Sequence, residues 1–414
     1  MRAPRRALSL LAVGALAAGC SSVQQHEREI EVPEAEMQQY LSDKPERLHR
    51  LYRKVLTQGE RNAVLNQMRI GLAAMEIGAW DAAERAFDKA LAGIETVYAD
   101  SAQAEEARST WVKENYKDFK GEPYERAMAY YYRGLLYLRE GDYENARASF
   151  KGGLLQDTLA QQQTYSQDFA ALAFLSGWAS HCNGDPGLAE SAFEEAHETN
   201  SRLTAPDEAT NLLLVAETGG APRKVAVGEY GEALAFKRGG GSADTAEMAL
   251  GDRMVPLTRA EDVYFQASTR GGRQVERILE GQAQFKDTTD TVGDVAIRGG
   301  AATAAFGSAY GNDNAAMAGL GILAAGLIAK GIAAATRPEA DLRAWDNLPD
   351  KVHLAALSAD PVPAEAQASF RTAAGTTVAS ETVQIHQAGR CALGWGRGQS
   401  ALAVPDAAPG STAD

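Results

Sequence analysis

The residues that could carry chemistry are few and far apart. The chain has three cysteines and six histidines. His181-Cys182 is the one place where a His and a Cys are neighbours. Successive residues on a helix point about 100° apart, so that pair alone makes a poor metal site and reads as helix packing. Catalytic signatures are missing: there is no Gly-x-Ser-x-Gly, Ser-x-x-Lys, His-Glu-x-x-His, Cys-x-x-Cys or phosphate loop ending Gly-Lys-Ser/Thr. Gly319-x-Gly321-x-x-Ala324 fits the dinucleotide fingerprint in letters, but no strand precedes it, as that site requires. The carboxylates are many, and none is marked out as a glycosidase-like pair. No catalytic residue, metal or cofactor is expected.

The remaining cysteine chemistry is at the N-terminus. Arg2, Arg5 and Arg6 precede an uncharged run from Ala7 to Gly19, too short to cross a bilayer and laid out as a secretory signal. The run ends Leu16-Ala17-Ala18-Gly19-Cys20. That ending resembles the lipobox of bacterial lipoproteins, with the leucine one place further out than in the commonest form. The resemblance implies a lipid on Cys20 and cleavage just before it. Ser21 and Ser22 in place of an aspartate imply sorting to the outer membrane, facing the periplasm. The plainer alternative is an ordinary secretory peptide that leaves Cys20 a spare thiol. Arg5-Arg6 fits a twin-arginine export signal poorly.

Charge narrows the partners. The formal charge is −14 over 414 residues. With the signal removed, 38 of the 41 Lys and Arg residues face 55 acids, a charge of −17. Such a chain repels nucleic acid and anionic headgroups, so nucleic-acid binding is excluded. An oxidising compartment permits a bridge between Cys182 and Cys391. The alternative is a buried thiol in a helix and an unpaired one in a strand.

Positioning elements come next. One spacing recurs three times: Gly71, Gly78, Ala83, Phe87; Gly134, Gly141, Ala146, Phe150; and Gly177, Gly184, Ala189, Phe193. In each the steps are seven, five and four residues, and a small residue follows three later. The first Gly lets two helices approach, the second makes the turn, and Ala and Phe share one face of the second helix, the Phe as a knob into the neighbouring pair. This resembles the tetratricopeptide repeat, although the consensus proline is absent and the copies are 63 and 43 residues apart. The resemblance implies a short α-solenoid with a groove for a partner protein. The alternative is that the array packs on the rest of the chain.

The expected organisation is α+β. Residues 1–19 are a lipoprotein signal, 20–36 a tether, and 37–205 the helical repeats, led in by a helix near Leu48 to Gln67. The insert Ser101 to Gly121 reads as an extra helix with a loop. Residues 206–405 form a mixed region, and 406–414 a disordered tail. Strands are expected at Asn211–Ala216, Lys224–Val227, Tyr230–Phe236, Val263–Ala267, and, in a small C-terminal β unit, at Lys351–Leu357, Ser369–Thr372, Val378–His386 and Cys391–Trp395. Between them, 291–335 reads as a Gly/Ala-rich helical hairpin with small residues in rows (Ala296, Gly300, Ala304, Ser308; Gly321, Ala325, Ala329, Ala333). A buried packing element and a membrane-associated element both fit it. The whole order resembles an uncharacterised bacterial outer-membrane lipoprotein family with tetratricopeptide repeats, a Pro222-Arg223-Lys224-Val225 element and a Trp345…Leu348-Pro349-Asp350 element. That resemblance implies an envelope protein as partner and no catalytic residues. The expected function is a lipid-anchored periplasmic scaffold or adaptor. The alternatives are a component of an export or membrane complex that uses the hairpin, or a cell-wall-active enzyme.

Overall fold

The computed structural model describes residues 29–99, 118–158, 169–227, 233–269 and 341–402. Cys20, the 291–335 hairpin, the tail from 406 and nearly all of the 101–121 insert lie outside these.

Helices come first. α1 (Glu34–Leu41) begins inside the expected tether. The single helix expected from Leu48 to Gln67 is two, α2 (His49–Gln58) and the start of α3 (Ala63–Glu76), divided at Gly59, whose φ of 64° is outside the helical region. Three hairpins follow: α3 with α4 (Trp80–Ala99), α5 (Pro123–Glu140) with α6 (Tyr143–Thr158), and α7 (Ala170–Asn183) with α8 (Pro186–Thr199). Each turns at its second motif glycine: Gly78, Gly141 and Gly184 have φ of 71°, 78° and 84°. In all three, the residue after the glycine donates its N–H to a carbonyl five residues back (Ala79 to Ala74, Asp142 to Tyr137, Asp185 to Ser180), which closes the helix end.

The strands are β1 (Leu212–Thr218), β2 (Arg223–Val227), β3 (Ala233–Lys237), β4 (Thr245–Leu250), β5 (Arg253–Pro256), β6 (Thr258–Asp262), β7 (Lys351–Leu357), β8 (Glu365–Arg371), β9 (Thr377–Ala388) and β10 (Cys391–Arg397). β2 and β3 form a separate hairpin. The other eight form one sheet in the order β5-β4-β8-β9-β10-β1-β7-β6. β1 runs parallel to β10, and every other neighbouring pair is antiparallel. The strands of the expected C-terminal unit are therefore not a unit of their own. β1 lies between β10 and β7, and β4 pairs with β8. The coarse class, α+β, stands. The two end strands, β5 and β6, are separated in sequence by Leu257 alone, so the sheet curls until it almost closes.

Strand periodicity sorts the side chains. Leu212, Leu214 and Ala216 of β1 join Met248, Phe370, Val383 and Ala392 in the core inside the curled sheet. Leu213 and Val215 face the other way and join the helical core with Val352, Leu354, Cys391 and Leu393. Both faces of β1 are thus covered, which explains its unbroken apolar run. One expected strand is a helix: Val263–Ala267 lies in α9 (Val263–Ser268). Asp262 wins over the β propensity of Val-Tyr-Phe by capping, its Oδ1 accepting the Phe265 N–H at 2.9 Å.

Candidate functional site

The first glycine and the phenylalanine of each motif meet within their own hairpin, rather than the phenylalanine serving chiefly as a knob into the neighbouring pair; Phe87 also stacks on Tyr132 of the next one. A Cβ on Gly71 would stand 2.7 Å from the Phe87 ring, on Gly134 2.3 Å from Phe150, and on Gly177 2.8 Å from Phe193. Ala83, Ala146 and Ala189 are buried beside them. Each phenylalanine fills the space its glycine leaves, so helix pairs close to within a ring's thickness.

The face of the hairpins expected to form an open groove carries the chain's own sheet. Trp345 is fully buried between Phe87 of α4 and Tyr132 of α5, with ring centroids 6.1 and 5.7 Å away. Arg69 of α3 holds the Asp346 carboxylate at 2.7 and 2.8 Å and the Ala344 carbonyl at 3.0 Å. Glu76 accepts from Ser400 and Ala401, and Trp80 meets His386 of β9 edge-on at 5.5 Å. At the third hairpin, Cys182 of α7 is bonded to Cys391 of β10 across 209 residues of sequence. Of the two readings left open for these cysteines, the bridge is the one present. His181 bonds the Thr210 carbonyl at 2.7 Å and stacks on Trp178, a packing contact of α7.

Two buried polar clusters cross this interface. Glu217, on the helix-facing side of β1, accepts from Tyr131 (3.1 Å), Tyr132 (2.9 Å) and the Trp395 indole (3.0 Å), with Arg397 Nε at 3.3 Å. Burial pushes the Glu217 carboxyl up, against the pull of Arg397 and the three donors. Burial, then the Glu217 charge, pushes both tyrosine hydroxyls well above their ordinary range. The second cluster is at the start of α5. There Glu122 and Glu125 form a capping box and hold Lys224 of β2 at 3.0 and 3.2 Å. Lys224 also donates to the Arg343 carbonyl at 2.7 Å, and Glu125 accepts the Trp345 N–H at 2.7 Å. The Pro-Arg-Lys-Val and Trp…Leu-Pro-Asp elements therefore meet at one carboxylate.

Inside the curled sheet, His353 Nε2 lies 2.9 Å from Thr218 Oγ1. Burial, with Lys351 nearby, pushes its pKa down to about 4, so the ring is neutral at pH 7. Glu381 fills the room left by Gly396 and accepts the Arg397 N–H. Burial, opposed by that N–H and aided by Glu76, raises its pKa to about 7.

No family model matches this chain, and neither a curated protein nor a solved structure is similar to it.

Among the described residues, the buried acids and bases serve as ties. No group of three or more His, Cys, Asp and Glu side chains in that part could hold a metal ion. No helix there is long and apolar enough to cross a membrane. Sequence reading missed the Glu217 cluster because the partners lie 85 to 180 residues from Glu217 and belong to no motif. It also missed a cleft of about 610 Å³ between the end of the helical part and the sheet. Leu203, Pro206 and Thr210 form one wall, and Val255, Thr258 and Leu357 the other. The one available signal was Arg253-Met-Val-Pro256, a short strand ending at a proline, as edge strands do.

Proposed function

We propose that this chain is a lipid-anchored lipoprotein of the bacterial envelope, held at the periplasmic face of the outer membrane through Cys20, and that it acts as a protein-binding adaptor without turnover. In this reading the three hairpins are tetratricopeptide-like repeats that have turned their inner face inward to hold the sheet, and the partner docks elsewhere on the resulting body. The observation that carries the reading is the buried Cys182–Cys391 bond. Such a bond persists in oxidising compartments, in keeping with an export signal, and it ties hairpins and sheet into one presenting surface. The engagement of Glu217 by Tyr131, Tyr132 and Trp395, and of Glu125 by Lys224 and the Trp345 N–H, supports a scaffold over a reactive centre.

The test is cross-linking of the tagged chain in intact cells, with mass spectrometry of what co-purifies and fractionation of a Cys20→Ser variant beside it. Loss of membrane association in the variant, together with an envelope protein cross-linked reproducibly to the native chain, is expected. Cytosolic recovery with Cys182 and Cys391 reduced would sink the anchor. Cross-links confined to the chain itself, with nothing enriched over a control lipoprotein, would sink the adaptor.

A further inference from the structure

The eight-stranded sheet fails to close at one place, and the failure is shaped. Residues 253–262 are one extended stretch that changes partner midway. β5 pairs with β4 as far as Pro256, Leu257 donates its N–H to Ala246, and from Thr258 onward β6 pairs with β7. Had the stretch kept to β7 throughout, Leu257 would face Ala355 and Val255 would face Leu357. Instead the pairing with β7 stops at Thr258–Leu354. Ala355, Ala356 and Leu357 are left with β1 on one side and no strand on the other, and the outer edge of β5 is likewise unpaired among the described residues. The cleft of about 610 Å³ lies in this wedge, lined from both edges.

Unpaired strand edges present rows of free N–H and C=O groups and are templates for another strand. The walls say which strand. Arg202 and Arg253 stand at the cleft and neither has an acidic partner among the described residues; Arg253 touches only the Ser358 carbonyl, at 3.4 Å. Two unmatched guanidinium groups at one opening stand out on a chain of charge −14. Asp207 is the one acid in the lining. Phe174 and Leu203 stand almost fully buried behind the helical wall, and Ala355 and Ala356 on the open edge are small enough for a backbone to come close.

We propose that the wedge between β5 and β7 binds an extended acidic peptide segment of a partner protein, which adds a strand to the sheet. This deepens the adaptor reading and rests on it. The incoming strand lies along Ala355–Leu357, about three residues or ~10 Å of strand. β7 is the main template, because Pro256 takes one donor from β5. Since β5 and β7 run antiparallel, the insert is parallel to one and antiparallel to the other. Side chains on one face of the insert turn toward the cleft, and the acidic ones reach Arg202 and Arg253.

The probe is a fluorescein-labelled hexapeptide of alternating valine and glutamate with capped ends, titrated by anisotropy against the mature chain with its disulfide intact. Three comparisons decide. They are the same peptide with lysine for glutamate, the same peptide N-methylated at alternate residues, and the protein carrying Arg202→Ser and Arg253→Ser, both exposed and outside the packing described above. Each is expected to bind at least about tenfold more weakly than the reference pair, the loss of one charge-assisted or backbone hydrogen-bond set. The inference fails if the reference peptide does not bind, if N-methylation leaves the affinity unchanged, or if sedimentation shows that the wedge pairs two copies of this chain and the peptide does not separate them. Failure here, with a partner still cross-linked in cells, leaves the adaptor standing and removes only this surface. Binding here with no partner in cells removes the adaptor instead.

Discussion

Putting alanine at the first glycine of each repeat tests whether the Gly–Phe contact holds the hairpins. At Gly134 the added Cβ would stand 2.3 Å from the Phe150 ring, and at Gly71 and Gly177 2.7 and 2.8 Å from theirs. All are below van der Waals contact, and the rings are buried. Overpacking of this kind costs about 1–3 kcal/mol, while alanine in place of glycine within a helix returns up to about 1 kcal/mol. Gly134→Ala is therefore expected to lose about 1–2 kcal/mol net, and Gly71→Ala and Gly177→Ala less. Gly187, in the first turn of α8, has nothing within 4 Å of where its Cβ would be. Gly187→Ala is thus the control, and is expected to gain up to about 1 kcal/mol. Pairing Gly134→Ala with Phe150→Leu should recover part of the loss, as residues in contact do in a double-mutant cycle. The assay is urea unfolding followed by tryptophan fluorescence, with slopes checked for constancy. If Gly134→Ala unfolds at the wild-type midpoint, or if Gly187→Ala loses as much as the other three, the contact does not hold the hairpins as described.

Two further outcomes follow from the same geometry. Opening the Cys182–Cys391 bond, by dithiothreitol or by Cys182→Ala with Cys391→Ala, frees a loop with a sequence separation of 209 residues. On the chain-entropy account that costs as much as about 5 kcal/mol, and equal urea midpoints with and without reductant would contradict it. Glu381 has its pKa raised to about 7, which means the fold prefers its protonated form. Its contribution is complete below the ordinary value of 4.5 and is lost as pH rises through about 7. The gap amounts to roughly 3 kcal/mol. Glu381→Gln should match the wild type near pH 4 and exceed it by up to that amount at pH 8. A difference independent of pH would refute the assignment.

What could be read in the sequence was what repeats or alternates locally. The Gly, Gly, Ala, Phe spacing located three hairpins because the turn and the Gly–Phe contact are both made within a hairpin. β7 and β10 stood out because their apolar runs are long and flanked by turns. β4, β5 and β6 did not, being short, part-exposed and interrupted by Arg253, Arg259 and Asp262. Val263–Ala267 reads as a strand by composition, and one capping carboxylate reverses that. The sheet order could not be read at all. β1 lies beside β10, far along the chain, and no local pattern encodes a parallel pair closed by such a connection. The packing of the hairpins against the sheet belongs with it: Trp345 and Glu217 become interface residues only once the sheet exists.

Glu217 shows why that interface is polar at its centre. An apolar contact between hairpins and sheet would tolerate sliding, because one leucine substitutes for another. β1 alternates between two buried faces, and its neighbours on both sides are largely apolar, so hydrophobic burial alone specifies its register weakly. A slip by one residue would carry the Glu217 carboxylate into the apolar interior of the sheet. It would also strip Tyr131, Tyr132 and the Trp395 indole of their acceptor and leave the Arg397 guanidinium without its partner. Each buried group left unpaired costs on the order of 1–3 kcal/mol, more where it is charged. Replacing the whole cluster by hydrophobic residues of similar volume need not destabilise the protein. What the cluster provides is a single permitted alignment of β1 against α5, and through Trp395 and Arg397 of β10 as well. The disulfide from α7 to β10 fixes that same alignment a second time, covalently, and the seam between β5 and β7 is left as the part of the sheet that neither device reaches.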